Sequence, residues 1–186
     1  MTTARRVHYS YQEYQRSLLT SDLKLEYCDG EIYAMAGGTP THAELSVAVT
    51  TLLRQALQGQ CKVFSSDLMV RVEATDLSTY PDATVICGEL QTAKLDENAA
   101  TNPTLLVEVT SPSTEDYDRS EKFSHYKQLP SLQAVIFVSH KTPRLTVKLR
   151  VGTGWEEREY RSGDRLELRQ PPVSLAVDDV YVGIVL

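Results

Sequence analysis

The sequence is poor in the residues that anchor several common chemistries. It has three cysteines among 186 residues. Cys28, Cys61 and Cys87 are odd in number, widely spaced and set in apolar, strand-like runs. That spacing offers no zinc cluster and suggests a reducing cytoplasm rather than a disulfide scaffold. No excess of positive charge exists: 19 Lys and Arg face 25 Asp and Glu, for a net charge of -6, which argues against a wholly basic nucleic-acid coat but leaves room for a local patch. No apolar run is long enough to span a membrane, and no apolar segment follows the polar stretch from Met1 to Ser10, which carries Arg5 and Arg6. No Gly-x-Ser-x-Gly elbow is present, and Ser111 and Ser113 have no motif-placed histidine. Gly152-Thr153-Gly154 is not followed by the Gly-Lys-Ser/Thr of a phosphate loop. Internal repeats, low-complexity tracts and linkers are also missing, so one domain over residues 1–186 is expected.

Regular patterning fills most of the chain. Tyr9 to Leu19 reads as a short amphipathic helix, and Leu23 to Met35 as a hairpin turning at Asp29-Gly30. After Gly37-Gly38-Thr39-Pro40, a helix begins at Thr41 with Thr41-x-x-Glu44 as a capping box. Its apolar stripe runs through Leu45, Val49, Leu52, Leu53, Ala56 and Leu57, and Gly59 ends it. Three strand candidates follow: Cys61 to Val72, Ala83 to Cys87 and Leu105 to Thr110. A long polar loop occupies Gly88 to Pro103. A second helix covers Asp116 to Leu129, Ala134 to Ser139 is a buried strand, and Arg144 to Val151 pairs with Gly154 to Arg161 across Gly152-Thr153. One more short strand precedes the apolar tail, Val180 to Leu186. The order predicts a mixed α/β or α+β fold around one sheet.

One residue breaks this pattern. Glu108 interrupts the apolar run Leu105-Leu106-Val107-Glu108-Val109. A carboxylate in a buried strand is costly unless it is paired or bound to a metal. Asp82 follows Pro81 at the mouth of Ala83 to Cys87. If that strand neighbours the one with Glu108, both carboxylates converge at one end of the sheet. With a backbone carbonyl they make an all-oxygen site suited to Mg²⁺ or Mn²⁺. Asp118, Lys122 and Tyr126 recur at i, i+4 and i+8 on one helix face, and Lys122 can point back at the carboxylates. Such a group serves metal-assisted phosphodiester hydrolysis.

Pro81-Asp82, Glu108-Val109-Thr110-Ser111-Pro112-Ser113-Thr114 and Asp118-x-x-x-Lys122-x-x-x-Tyr126 together resemble a restriction-endonuclease family abundant in cyanobacteria, within the PD-(D/E)-x-K nuclease superfamily. Glu26-Tyr27-Cys28-Asp29-Gly30-Glu31-Ile32, Met35-Ala36-Gly37-Gly38 and His42 extend the resemblance into the N-terminal half. It implies a mixed central sheet flanked by helices, with additional terminal hairpins. It also implies a divalent metal on Asp82 and Glu108 and Lys122 as the catalytic lysine; the backbone carbonyl expected to complete the metal shell is that of Val109. Thr110 stands where the superfamily places its lysine, so Lys122 supplies the amine from the next helix.

Each residue also has a plainer reading. Pro81-Asp82 can simply open a strand. A structural Glu108 would pair with a buried cation. Lys122 can form a surface pair with Asp118, worth about 0.3–0.5 kcal/mol. Glu26, Glu44, His42 and Tyr126 are accessory candidates. Their plain roles are a solvated strand charge, a helix cap, a capping or packing histidine and a half-buried helix residue. Arg144, Lys148 and Arg150 share a strand face that could meet a phosphate backbone, yet Lys148 falls opposite Glu157 and Arg150 opposite Trp155. The expected activity is Mg²⁺-dependent (or Mn²⁺-dependent) cleavage of DNA by a cytoplasmic protein, with a homodimer able to build the groove one chain lacks. The alternatives are a catalytically silent metal-binding or protein-interaction domain and, more weakly, a phosphodiesterase for RNA or a small nucleotide.

Overall fold

A computed structural model describes residues 7–35 and 37–186; residues 1–6, with Arg5 and Arg6, and Ala36 of the Met35 to Gly38 stretch lie outside the described residues. Helix α1 (Tyr11–Thr20) is closed by a capping box between Ser10 and Glu13. Strands β1 (Leu25–Cys28) and β2 (Glu31–Ala34) form the expected hairpin. Asp29 and Gly30 turn it with φ of 45° and 83°, the left-handed pair that a two-residue primed turn requires. Helix α2 (Pro40–Leu57) starts earlier than the Thr41 capping box would place it. Pro40 takes the first helical position and the Thr39 hydroxyl accepts the His42 N–H at 3.2 Å, so Glu44 has no capping role.

The expected strand from Cys61 to Val72 is two strands. β3 (Cys61–Ser65) and β4 (Met69–Val72) enter different sheets. β5 (Leu77–Thr79) and β6 (Ala83–Cys87) follow. The polar 88–103 segment is not a structureless loop: β7 (Thr92–Ala93) and β8 (Asp96–Ala100) form a hairpin that extends the sheet beside β4. Strand β9 (Leu105–Val109) leads into a helical stretch made of α3 (Glu115–Tyr117), a π turn (Asp118–Lys122) and α4 (Phe123–Tyr126). β10 (Ala134–Val138), β11 (Arg144–Val151) and β12 (Gly154–Arg161) match the sequence pattern. The tail adds a hairpin, β13 (Arg165–Leu168) with β14 (Val173–Ala176), and α5 (Val177–Val180).

Apart from the separate β13-β14 pair, these strands form two six-stranded sheets rather than one, ordered β12-β11-β10-β9-β6-β3 and β2-β1-β5-β4-β8-β7. In the first, β9 and β10 are parallel and the other pairs antiparallel. Alternation along β9 assigns its faces. Leu105, Val107 and Val109 pack with Leu45, Val49 and Leu53 of α2. Leu106 packs on the opposite face with Phe123, Tyr126 and Val70. Glu108, in phase with Leu106, therefore projects between the two sheets. Leu53 is fully buried in the α2 layer, and Leu53→Ala is expected to cost about 2–5 kcal/mol of unfolding free energy in a denaturant titration.

The cysteine expectation is overturned. Cys61 and Cys87 occupy paired positions of β3 and β6 and are joined by a disulfide, while Cys28 is free. Their separation of 26 residues conceals an antiparallel register that brings them side by side. The cysteines therefore give no support to a reducing compartment. Among the described residues, no helix is long and apolar enough to cross a membrane.

Candidate active site

Strands β6 and β9 are antiparallel neighbours, with Ala83 opposite Val107, so Asp82 lies just beyond β6 beside the end of β9. Asp82 Oδ2 accepts the Val109 N–H at 2.7 Å. Its Oδ1 accepts the Ser46 hydroxyl at 3.0 Å and lies 3.4 Å from His42 Nε2. Strand order and register thus bring the two expected carboxylates to one end of the sheet, where the charge on Asp82 acts on Glu108.

Glu108 is only 4% exposed. Its Oε1 lies 3.0 Å from Lys122 Nζ and accepts the Tyr126 hydroxyl at 2.5 Å. Both contacts fall on Oε1. Lys122 and Asp118 are each 5% exposed, which overturns the reading of them as a surface pair. The π turn accounts for their convergence. Over eight residues a regular α-helix drifts by about 80°. The wider turn across Asp118–Lys122 takes up that drift and keeps Asp118, Lys122 and Tyr126 on one inward stripe.

Lys122 Nζ also lies 3.7 Å from Asp118 Oδ1 and 3.7 Å from Glu26 Oε1. Glu26 comes from β1 in the other sheet, where the Thr79 hydroxyl and, at 3.3 Å, the Tyr80 N–H donate to it. Of the accessory candidates, Glu26, His42 and Tyr126 join this group. Glu44 is exposed on α2 and, among the described residues, contacts no member of it. Sequence reasoning missed Asp118 as a buried participant and Ser46 as a partner of Asp82. Thr110 is buried and hydrogen-bonded to His140 at 2.9 Å; it has no amine to offer.

Three carboxyl groups (Glu26, Glu108, Asp118) therefore surround a single amine, and the charge on a fourth, Asp82, acts on Glu108 and Asp118. Burial pushes Glu108 up to about 8; Lys122 pulls it back, and Asp118 and Asp82 push it further. Burial also raises Asp118. On Lys122 burial works downward, but Glu108, Tyr126, Glu26 and Asp118 outweigh it and hold the amine well above its ordinary range. The site is short of positive charge. Among the described residues no three His, Cys, Asp or Glu side chains already close on one point. The neighbouring Asp82, Glu108 and Val109 main chain offer instead hard oxygen donors. That set fits a cation that binds through one or two carboxylates and keeps several waters.

Arg144, Lys148 and Arg150 are engaged elsewhere. Lys148 pairs with Glu157, Arg144 with Glu159 at 3.5 Å, and Arg150 sits 4.7 Å from the centre of the Trp155 ring. The cross-strand reading of this face holds.

Comparison with known proteins places these features in context. The family described as "Putative restriction endonuclease" (Uma2) matches residues 11–178, which contain every site residue above. An uncharacterized Synechocystis sp. protein is 39% identical over 163 residues, 87% of this chain and 85% of the relative. A second from the same organism is 31% identical over 130 residues, 69% and 73% of the two chains. The crystal structure of a putative nuclease belonging to DUF820, from Anabaena variabilis, superposes with a TM-score of 0.72 at 15% identity and covers 91% of this chain and 98% of its own. That likeness shows a shared fold.

Proposed function

Because this chain belongs to the putative restriction endonuclease (Uma2) family, we propose that it is a divalent-metal-dependent endonuclease that hydrolyses DNA phosphodiester bonds. One observation carries the reading. The buried Lys122 amine stands 3.0 Å from Glu108, supplying from the helix the positive charge that Thr110 cannot supply from the strand. Asp82, Glu108 and the Val109 carbonyl would hold Mg²⁺ or Mn²⁺. When bound, that ion supplies charge neutralisation at the phosphate and makes a nearby water more acidic. Lys122 holds a fixed positive charge beside the reacting phosphate and orients the attacking water. Tyr126 fixes the Glu108 carboxylate through its hydroxyl, and the Val109 N–H and Ser46 hydroxyl fix Asp82. A symmetric dimer would supply the groove that one acidic chain lacks.

The test is cleavage of supercoiled, linear and single-stranded DNA in Mg²⁺, Mn²⁺ and EDTA. Cutting is expected with metal, is expected to be lost in EDTA, and is expected to fall by at least about a thousandfold in Asp82→Ala. Cutting by Asp82→Ala at the wild-type rate would sink the proposed site. The net charge of -6 and the engagement of the β11 cations favour one alternative, a silent domain. No cutting of any substrate, with no heat of metal binding, would select it.

Metal binding carries a pH signature. Glu108 titrates near 8, above its ordinary 4.5, so between those values the metal-free chain holds a proton that a cation must displace. Affinity is expected to weaken as pH falls below 8, by up to about tenfold per pH unit, with release of up to one proton. Calorimetry in buffers of different ionisation enthalpy measures both. A flat affinity from pH 6 to 8 would remove Glu108 from the ligand set.

A further inference from the structure

Successive turns of α2 present two side chains to the same oxygen of Asp82: Ser46 Oγ at 3.0 Å and His42 Nε2 at 3.4 Å. The His42 ring also acts on the Val109 main chain as a hydrogen-bond donor. Nε2 is therefore aimed at the aspartate oxygen that an incoming cation would share. The placement is built rather than incidental. His42 and Asp82 side chains are 23% and 13% exposed. The other edge of the ring rests on Gly38, where a Cβ would come within 2.7 Å of Nδ1. Thr39 anchors the helix start by accepting the His42 N–H.

The spacing matches shared ligation. Two donors each about 2.1 Å from one ion, at octahedral to tetrahedral angles, stand roughly 3.0–3.4 Å apart. We propose that His42 is a nitrogen ligand of the cation held at Asp82, and that it makes the site select Mn²⁺ over Mg²⁺. The inference rests on the metal-dependent reading above and adds to it a residue and a metal preference. Mg²⁺ is a hard ion that keeps oxygen ligands and water, so an imidazole gives it little. Mn²⁺ accepts mixed nitrogen and oxygen donors, and divalent ions later in the first transition row bind such sets more tightly still.

The experiment uses the full chain and Mn²⁺ as the probe. Electron paramagnetic resonance gives the Mn²⁺ affinity, competition gives the Mg²⁺ affinity, and electron spin echo modulation reports nitrogen bonded to the ion. Nitrogen coupling is expected in the wild type and is expected to vanish in His42→Ala. That variant should bind Mn²⁺ about tenfold or more weakly, with Mg²⁺ affinity held within about threefold. A histidine that only orients Asp82 would give no nitrogen coupling and would weaken both ions alike; either result overturns the proposal. The wild-type spectrum decides the matter even if the variant folds poorly. Asp82→Asn separates the two levels. If it abolishes binding of both ions while the wild type shows no nitrogen coupling, only the role of His42 falls. If it leaves binding intact, or the wild type binds no Mn²⁺, the metal reading of Asp82 falls as well.

Discussion

Lys122→Met is expected to abolish DNA cleavage, by at least about a thousandfold, and to destabilise the protein in a pH-dependent way. The amine is 5% exposed and lies within 3.7 Å of three carboxyl groups. Methionine keeps the length and the apolar stem but removes the charge. Well above pH 8, where Glu108 is ionised in the wild type, the buried carboxylates then lack a counterion, and breaking a buried pair in this way costs about 3–5 kcal/mol. At pH 5 the loss is expected to be much smaller. Glu108 already takes up a proton near 8 in the presence of Lys122, and without Lys122 its proton is held more firmly still. Urea unfolding of wild type and variant at pH 5 and at about pH 10 measures the difference. Cleavage is best assayed at a temperature where the variant is fully folded. Wild-type cutting by a folded Lys122→Met protein would remove the lysine from the chemistry, and equal destabilisation at both pH values would remove it from the carboxylate cluster.

How far this cluster could be read in advance depended on whether each residue's neighbours were local. Glu108 was legible because a charge in an apolar strand has few explanations. The approach of Asp82 followed from two strands whose limits were clear, Ala83–Cys87 and Leu105–Val109. Helix spacing brought Lys122 forward, but only the resemblance gave it a catalytic role, since its spacing from Asp118 equally describes a solvated helix pair. The π turn that turns both residues inward has no signature in Asp118-Arg119-Ser120-Glu121-Lys122 that distinguishes it from ordinary helix. Glu26 reaches Lys122 from a different sheet, and the second sheet was not foreseen. Its strands β5, β7 and β8 are short, and Thr92–Ala93 and Asp96–Ala100 carry too little apolar patterning to stand out from a polar loop. They are strands because β4 supplies a partner, which is long-range information. The Cys61–Cys87 bond was hidden for the same reason.

Glu108→Gln is expected to separate stability from activity. Cleavage should fall by at least about a thousandfold, because an amide neither carries the negative charge nor binds a hard cation as a carboxylate does. Stability should move the other way at high pH. The Glu108 carboxyl titrates near 8 in the folded chain against an ordinary 4.5, a displacement driven first by burial and already inclusive of the attraction to Lys122. A carboxyl raised on folding binds its proton more tightly in the native state than in the unfolded one. Stability from this group is therefore complete below the unfolded value and is lost as pH rises towards the folded one, at up to about 1.4 kcal/mol per pH unit. Glutamine imitates the protonated acid and can still accept the Tyr126 hydroxyl through its amide oxygen. In metal-free buffer, the variant should match the wild type near pH 4.5 and exceed it by a margin that widens up to pH 8. Thermal unfolding across that range measures the margin. Saturating metal should narrow it again, because a cation stabilises the ionised glutamate and has no comparable ligand in the glutamine variant. Parallel pH profiles for the two proteins would show that Glu108 bears no burial cost. Wild-type cleavage by the variant would show that its charge is not used.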